Sequence, residues 1–321
     1  MNTVNFLTPI QDKLLLVEAR MLAKTDGHNP ELGAALEHLL SSGGKRIRPA
    51  VALLTGGMLG AKSERLVILG AAIELLHTAT LVHDDLIDGA LLRRGIATLN
   101  AEWSPAATVL TGDYVFARAA KLAAETNSVD VMRLFADTLM TIVNGEITQL
   151  FSGRGLVSRE DYNQRIYAKT ASMFELATAA PAMLSPVDED EVEAMRRFGY
   201  QIGMAFQIVD DVLDFTGEQE TVGKPVASDL RQGLITLPAL FYFEAHPEDP
   251  DLGVILSRKP PREAMINRLV EAIRASGAIQ QSMDEARSFV ECGLEYLSDQ
   301  PDCMERSALE DLTRYIVHRH W

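Results

Sequence analysis

Leu75-Leu76-His77-Thr78-Ala79-Thr80-Leu81-Val82-His83-Asp84-Asp85-Leu86-Ile87-Asp88 is an apolar run that closes on three carboxylates. It reads as a buried helix. Residues four apart in a helix share a face, roughly 6 Å apart along the axis, so Asp84 and Asp88 point the same way and Asp85 is turned about 100° aside. Gly89 follows as a helix stop. Carboxylates at a helix C-terminus meet the negative end of the macrodipole, at about 0.3–1 kcal/mol each. Such an arrangement calls for cations, and an all-oxygen donor set points to magnesium ahead of zinc.

A second copy stands at Phe206-Gln207-Ile208-Val209-Asp210-Asp211-Val212-Leu213-Asp214, again an apolar helix, here followed by the turn Phe215-Thr216-Gly217. One such cluster is explained well enough as a solvated helix end. Two copies, each preceded by a run too apolar for a surface, are not, because buried carboxylates must be paired, protonated or metal-bound. Paired metal sites facing one cavity are the expectation.

The chain has 321 residues, 47% of them hydrophobic and only 6% aromatic, with no linker-like stretch. Ala and Leu abound and no strict apolar–polar alternation appears, so the fold expected is all-α and a single domain over 1–321. A net charge of −15 argues against nucleic-acid binding and against electrostatic adhesion to anionic lipid. Cys292 and Cys303 are too few for a disulfide framework or a zinc site. Met1 to Ile10 lacks a secretory pattern, and the apolar runs are too short or, like Leu69 to Val82, too interrupted to span a bilayer, so a cytoplasmic chain without a transmembrane segment is expected.

Along the chain, Thr8-Pro9 should open a helix running to Ala23, and Asn29-Pro30 another that stops at Gly43-Gly44. The turn Gly43-Gly44-Lys45-Arg46-Ile47-Arg48-Pro49 carries three cations into a helix N-terminus, which suits a diphosphate, although exposed basic turns are common. Ser63 should cap the helix that ends at Asp88, and Arg93-Arg94-Gly95 follows, two guanidiniums suited to phosphate oxygens. Helices are expected from Pro105 to about Thr126, from a Ser128 cap through Leu150, from Ser158 through Lys169-Thr170 to Pro181, and from Ser185-Pro186 through the second acidic cluster. Lys169 there could simply snorkel to solvent. A polar loop, Gly223 to Gly233, places Lys224 and Arg231 just beyond that cluster and could close over phosphates. Helices at about 236–246, 261–276, 279–298 and 304–319 are read as scaffold only.

Two acidic helix ends, several cations and apolar helix walls suit a molecule with a diphosphate head and a hydrocarbon tail. Metals and cations would stabilise a departing diphosphate, and a dry apolar pocket would hold the carbocation left behind. Neither a Ser–His–Asp set nor a Walker-type glycine loop is present.

With these motifs in hand, the chain resembles the trans-isoprenyl diphosphate synthases, or polyprenyl synthetases. The match rests on Gly44-Lys45-x-x-Arg48-Pro49, His77, Asp84-Asp85-x-x-Asp88, Arg93-Arg94-Gly95, Gly112-Asp113, Lys169-Thr170, Phe206-Gln207-x-x-Asp210-Asp211-x-x-Asp214, Gly223-Lys224 and Asp229-Leu230, in family order. The resemblance implies an isoprenoid synthase-type bundle of mostly antiparallel helices around a central cavity, as a homodimer. It also implies head-to-tail condensation of isopentenyl diphosphate onto an allylic diphosphate. Asp84, Asp88 and Asp210 would hold magnesium, with Asp211 and Asp214 supporting that site and Asp214 counted among its metal residues. Arg93, Lys169 and Lys224 would act on the allylic diphosphate, with Thr170 and Gln207 nearby. Gly44, Lys45, Arg48, His77 and Arg94 would hold the isopentenyl diphosphate. Many relatives carry a second Lys where this chain has Leu234; Arg231 could compensate.

The resemblance also bears on product length. Ala79 and Thr80, five and four residues before Asp84, are small where members making short products carry a bulky aromatic, and Leu76 one turn deeper narrows without closing. A long product of about C30 to C50 is expected, with C20 or farnesyl as the runner-up, because pocket shape decides the length that fits. A class I terpene cyclase would carry a different second metal motif, and a non-catalytic subunit of a heteromeric synthase would tend to lose aspartates that are all present here.

Overall fold

The run that ends at Asp88 is the last half of α4 (Ser63–Ile87), around which the first helices pack. The computed structural model describes residues 5–23, 29–41, 44–93, 95–151, 158–217, 226–255 and 262–319. Its chain divides into two compact units, the first Met1–Asp137 with Glu175–Arg196 and Asp299–Asp311, the second Thr138–Phe174 with Arg197–Ser298 and Leu312–Trp321.

In the first unit α1 (Gln11–Leu22), α2 (Pro30–Ser41) and α3 (Ile47–Met58) precede α4, and α5 (Leu99–Glu102) and α6 (Pro105–Glu125) follow it. α4 packs against α6 above all, then against α3 and α1. That packing corrects one expectation. α4 is an uninterrupted 25-residue helix whose best 18-residue window has a mean hydropathy of 1.7, long and apolar enough by length and composition to cross a membrane. Glu74 and His77 do not interrupt it. Its Leu66, Leu69, Ile73, Leu75 and Leu76 are fully buried, which marks a core helix. Between α4 and α5 a two-residue hairpin, β1 (Leu92–Arg93) and β2 (Ile96–Ala97), is the one departure from helix-only structure among the described residues.

α7 (Val129–Phe151) leads from the first unit into the second, which also holds α8 (Arg159–Ile166), a π-helical turn Tyr167–Ala171 and the start of α9 (Ser172–Met183). α10 (Glu189–Thr216) carries the second acidic motif, and α11 (Ser228–Arg231), α12 (Leu237–Ala245), α13 (Pro250–Ile255), α14 (Glu263–Ala275), α15 (Ala278–Ser298) and α16 (Met304–His318) complete the chain. α12 packs on α15 and α14. Four of the five unit boundaries fall inside helices, namely α7, α9, α10 and α16.

Several helix ends follow the capping residues. Ser104 accepts from Ala107 N–H, Ser128 from Val131 N–H, and Ser158 forms a reciprocal capping box with Asp161. Three starts differ. Asn5–Ile10 winds as a 3₁₀ helix with Pro9 inside it, which turns Phe6 and Ile10 into the core, so α1 begins later. Ser63 is the first helical residue, with Lys62 at the cap. α10 begins at Glu189 because Asp188, not Ser185, accepts the Glu191 N–H at 3.0 Å.

Candidate active site

The first acidic motif closes α4 in a Schellman motif: Ala90 N–H bonds Asp85 O at 2.8 Å and Gly89 N–H bonds Leu86 O, with Gly89 at φ +65°. Asp88 is exposed and Asp84 half-buried, whereas Asp85 is buried. Asp85 is held by Arg93, whose Nε and Nη2 fork onto the carboxylate at 2.7–2.9 Å. Thr98 pins the hairpin back by donating to Ala90 O at 2.7 Å. One turn of α6 presses on the same helix end. His83 Nε2 donates to Val109 O at 3.2 Å and lies 3.5 Å from Asp113 Oδ1. A Cβ on Gly112 would fall 2.2 Å from that ring nitrogen, which gives the Gly112-Asp113 pair a physical reason.

The cationic turn splits in two. Gly44 and Lys45 are exposed, and Arg48 Nη1 donates to His77 Nε2 at 3.3 Å. Arg46 instead turns inward, to Glu74 at 2.8 Å, Glu18 at 3.2 Å and Leu40 O at 3.1 Å. Burial opposes its charge, and the two glutamates outweigh that and raise its pKa. Leu76 and Ala79 are fully buried, and Thr80 is half-buried with its hydroxyl on His77 O.

The second motif is built by residues far apart in sequence. Asp210 pairs with Arg319 at 2.7 Å; that guanidinium also bonds Phe206 O and stacks 3.8 Å over the Phe206 ring. Asp211 is buried and accepts from Tyr162 Oη at 2.7 Å and Gln207 Nε2 at 2.8 Å, while Gln207 Oε1 accepts from Thr170 at 2.6 Å. Asp214 accepts from Ser228 N and Oγ, both at 3.0 Å, and from Asp229 N at 3.3 Å, so it caps α11. Lys169 sits on the π-helical turn, partly exposed, 3.5 Å from Glu146. π turns interrupt helices at functional sites more often than elsewhere.

Two of these carboxylates have raised pKa values. Burial, with Asp229 nearby, lifts Asp211 to about 7 and Asp214 to about 6, against the stabilising hydrogen bonds each accepts. Burial beside Asp211 holds Tyr162 well above its ordinary value.

Among the described residues, no three His, Cys, Asp or Glu side chains are gathered closely enough to hold an ion alone. The donors still fit a hard divalent cation. Magnesium is commonly held by one or two carboxylates together with substrate phosphates and waters, and Asp84 with Asp88, one turn apart at a solvent-facing helix end, is such a pair.

Arg94, Gly223 and Lys224 lie outside the described residues. Arg231, expected to compensate for Leu234, donates to Val226 O and Asn267 Oδ1 and pairs with Glu263. Tyr162, Ser228 and Arg319 were not legible as site residues. Ser228 next to the Asp229-Leu230 motif was the nearest available signal; Arg319 fell in a segment read as scaffold.

The Polyprenyl synthetase family model matches residues 29–273. The heptaprenyl diphosphate synthase component 2 of Geobacillus stearothermophilus is 36% identical over 97% of this chain and 97% of its own. The octaprenyl diphosphate synthase of Escherichia coli K12 is 33% identical over 88% of each. The solved polyprenyl synthase of Caulobacter crescentus CB15, complexed with calcium and isoprenyl diphosphate, matches with a TM-score of 0.91 at 35% identity, covering 99% of this chain and 98% of that one.

Proposed function

This chain belongs to the polyprenyl synthetase family of prenyltransferases, and on that premise we propose that it condenses isopentenyl diphosphate head-to-tail onto an allylic diphosphate, to a long all-trans product of about C30 to C50. The observation that carries the reading is the complete set of carboxylates in both acidic motifs, each motif held by an arginine. Asp84, Asp88 and Asp210, with Asp214, would hold Mg²⁺. When bound, the cation neutralises charge on the departing diphosphate. Arg93, Lys169 and Lys224 take the remaining oxygens of the allylic diphosphate, with Thr170 and Gln207 beside them. Gly44, Lys45, Arg48, His77 and Arg94 hold the isopentenyl diphosphate. Apolar helix walls exclude water from the allylic cation, and the released diphosphate accepts the last proton. Small residues at Ala79 and Thr80 above Leu76 support a long tail.

We also propose a single domain, supported by the unit boundaries that fall inside helices. We place it in the cytoplasm, with Cys292 and Cys303 as free thiols. A homodimer is supported by Met140, Val143, Ile147 and Leu150, an exposed apolar stripe at helical spacing along α7. The name of the Geobacillus relative, a component 2, favours one second reading, that a partner chain is needed. Magnesium-dependent elongation by the purified chain alone decides between them: turnover supports the first reading, and turnover only after adding a partner supports the second.

A further inference from the structure

The cationic turn holds a feature that diphosphate binding by itself does not require. Arg46, at the N-cap of α3, sits at φ +47°, ψ +38°, in the left-handed region where glycine is unstrained and arginine is not. Its side chain makes no capping bond. The guanidinium goes instead to Glu74, Glu18 and the Leu40 carbonyl. Glu74 is 6% exposed, so its charge is tolerable only while Arg46 stays. The strained backbone and the buried pair therefore depend on each other, and together they fix the segment between Lys45 and Arg48.

Glu74 belongs to the same face of α4 as the site. Glu74, His77, Asp84 and Asp88 fall within an arc of about 80° on an ideal helix, and Glu74 and Asp84 are about 15 Å apart along its axis. Arg48 meets this face at His77. One rigid helix thus carries the first acidic motif at its end and, further back, the two side chains that tie down the cationic turn.

We infer that Glu74, acting through Arg46, is a positioning residue that sets Lys45 and Arg48 for the diphosphate of isopentenyl diphosphate. It rests on the reading above that Lys45 and Arg48 bind that diphosphate. The inference also explains why arginine occupies a backbone position suited to glycine.

The test is steady-state kinetics with magnesium, varying isopentenyl diphosphate and the allylic primer separately, for Arg46→Gly, Arg46→Lys, Glu74→Gln, the double variant Arg46→Gly/Glu74→Gln, and Lys45→Ala. Lys45→Ala checks the underlying reading: an unchanged KM for isopentenyl diphosphate removes that reading, whatever Arg46 does. With Lys45 confirmed, Arg46→Gly and Glu74→Gln should each raise the same KM by about tenfold, with kcat and the allylic KM within about twofold of the parent, as expected when a binding group is misplaced and the chemistry is not. Arg46→Lys, which keeps the charge, should recover part of the loss. The double variant should match the worse single one, since both act on one pair; it also leaves no buried unpaired charge, so it reports even where Glu74→Gln alone folds poorly. A parental KM in Arg46→Gly, where glycine satisfies the backbone, overturns the inference. Multiplied effects in the double variant overturn it equally.

Discussion

In α4 the middle aspartate of Asp-Asp-x-x-Asp carries the ion pair, Asp85 with Arg93, and its outer neighbours Asp84 and Asp88 face solvent to different degrees. In α10 the first aspartate, Asp210, carries it, with Arg319, while Asp211 and Asp214 are taken up by Tyr162, Gln207, Ser228 and Asp229. One spelling gives two wirings. The first motif sits at a helix end, where its outer carboxylates can reach solvent. The second sits inside the last turns of a long helix, where buried Asp211 and half-buried Asp210 and Asp214 each have a protein partner. The first is therefore arranged to present charge and the second to store it in a network.

Removing a metal-binding carboxylate from either motif should have the largest effect. Asp84→Ala or Asp210→Ala is expected to lower kcat by about a thousandfold or more with the fold retained, seen by circular dichroism, because transition-state charge loses its counter-ion. Retained turnover in either variant would refute its metal role. Next, Ala79→Phe, which alters only the helix below the first motif, should shorten the product sharply at little cost to the first condensation. Unchanged chain lengths by product analysis would mean that the tail runs elsewhere.

How far the comparison could be read from the sequence depends on range. The spacing of Asp84 and Asp88, the stop at Gly89, the cap at Ser128 and the helix entry at Ser158 are set by neighbours within a turn or two, and they came through. Arg93 was legible as a nearby cation, but its commitment to Asp85 needs the hairpin to fold it back. Tyr162 and Arg319 join the second motif only through tertiary packing; no periodicity or motif marks them. The π-helical turn under Lys169 was also hidden, because a bulge leaves the apolar pattern of α8 and α9 nearly intact. Short-range chemistry is written locally, and the network around buried carboxylates is not.

The stored charge predicts a pH signature. Asp211 at about 7 and Asp214 at about 6 are raised from an ordinary 3.8, so the folded metal-free chain binds extra protons between those values. Their contribution to stability is complete below pH 3.8 and is lost as pH rises through about 6 to 7. Thermal unfolding without metal should therefore show this loss, and Mg²⁺ should restore stability most above pH 7, where no proton has to be displaced. Magnesium that stabilises equally at pH 5 and 8 would contradict the wiring of the second motif. Tyr162→Phe, which takes one hydrogen bond from Asp211, should destabilise by about 1–2 kcal/mol in denaturant titration, and a neutral result would show that Asp211 is satisfied without it. The smallest effect is expected at Arg319. Arg319→Gln removes a cation competing for Asp210, and calorimetric titration with Mg²⁺ in the absence of substrate should show affinity raised by about three- to tenfold. Weakened binding would mean that Arg319 orders Asp210 for the metal.

The most direct test of the central claim is product length. The purified chain is incubated with Mg²⁺, isopentenyl diphosphate and each allylic primer from C5 to C20, and the chains formed are resolved. The account predicts a ladder reaching about C30 to C50, since nothing bulky at Ala79 or Thr80 stops the tail. Termination at C15 or C20 would contradict the open path below Asp84, and no elongation from any primer would contradict the synthase reading itself.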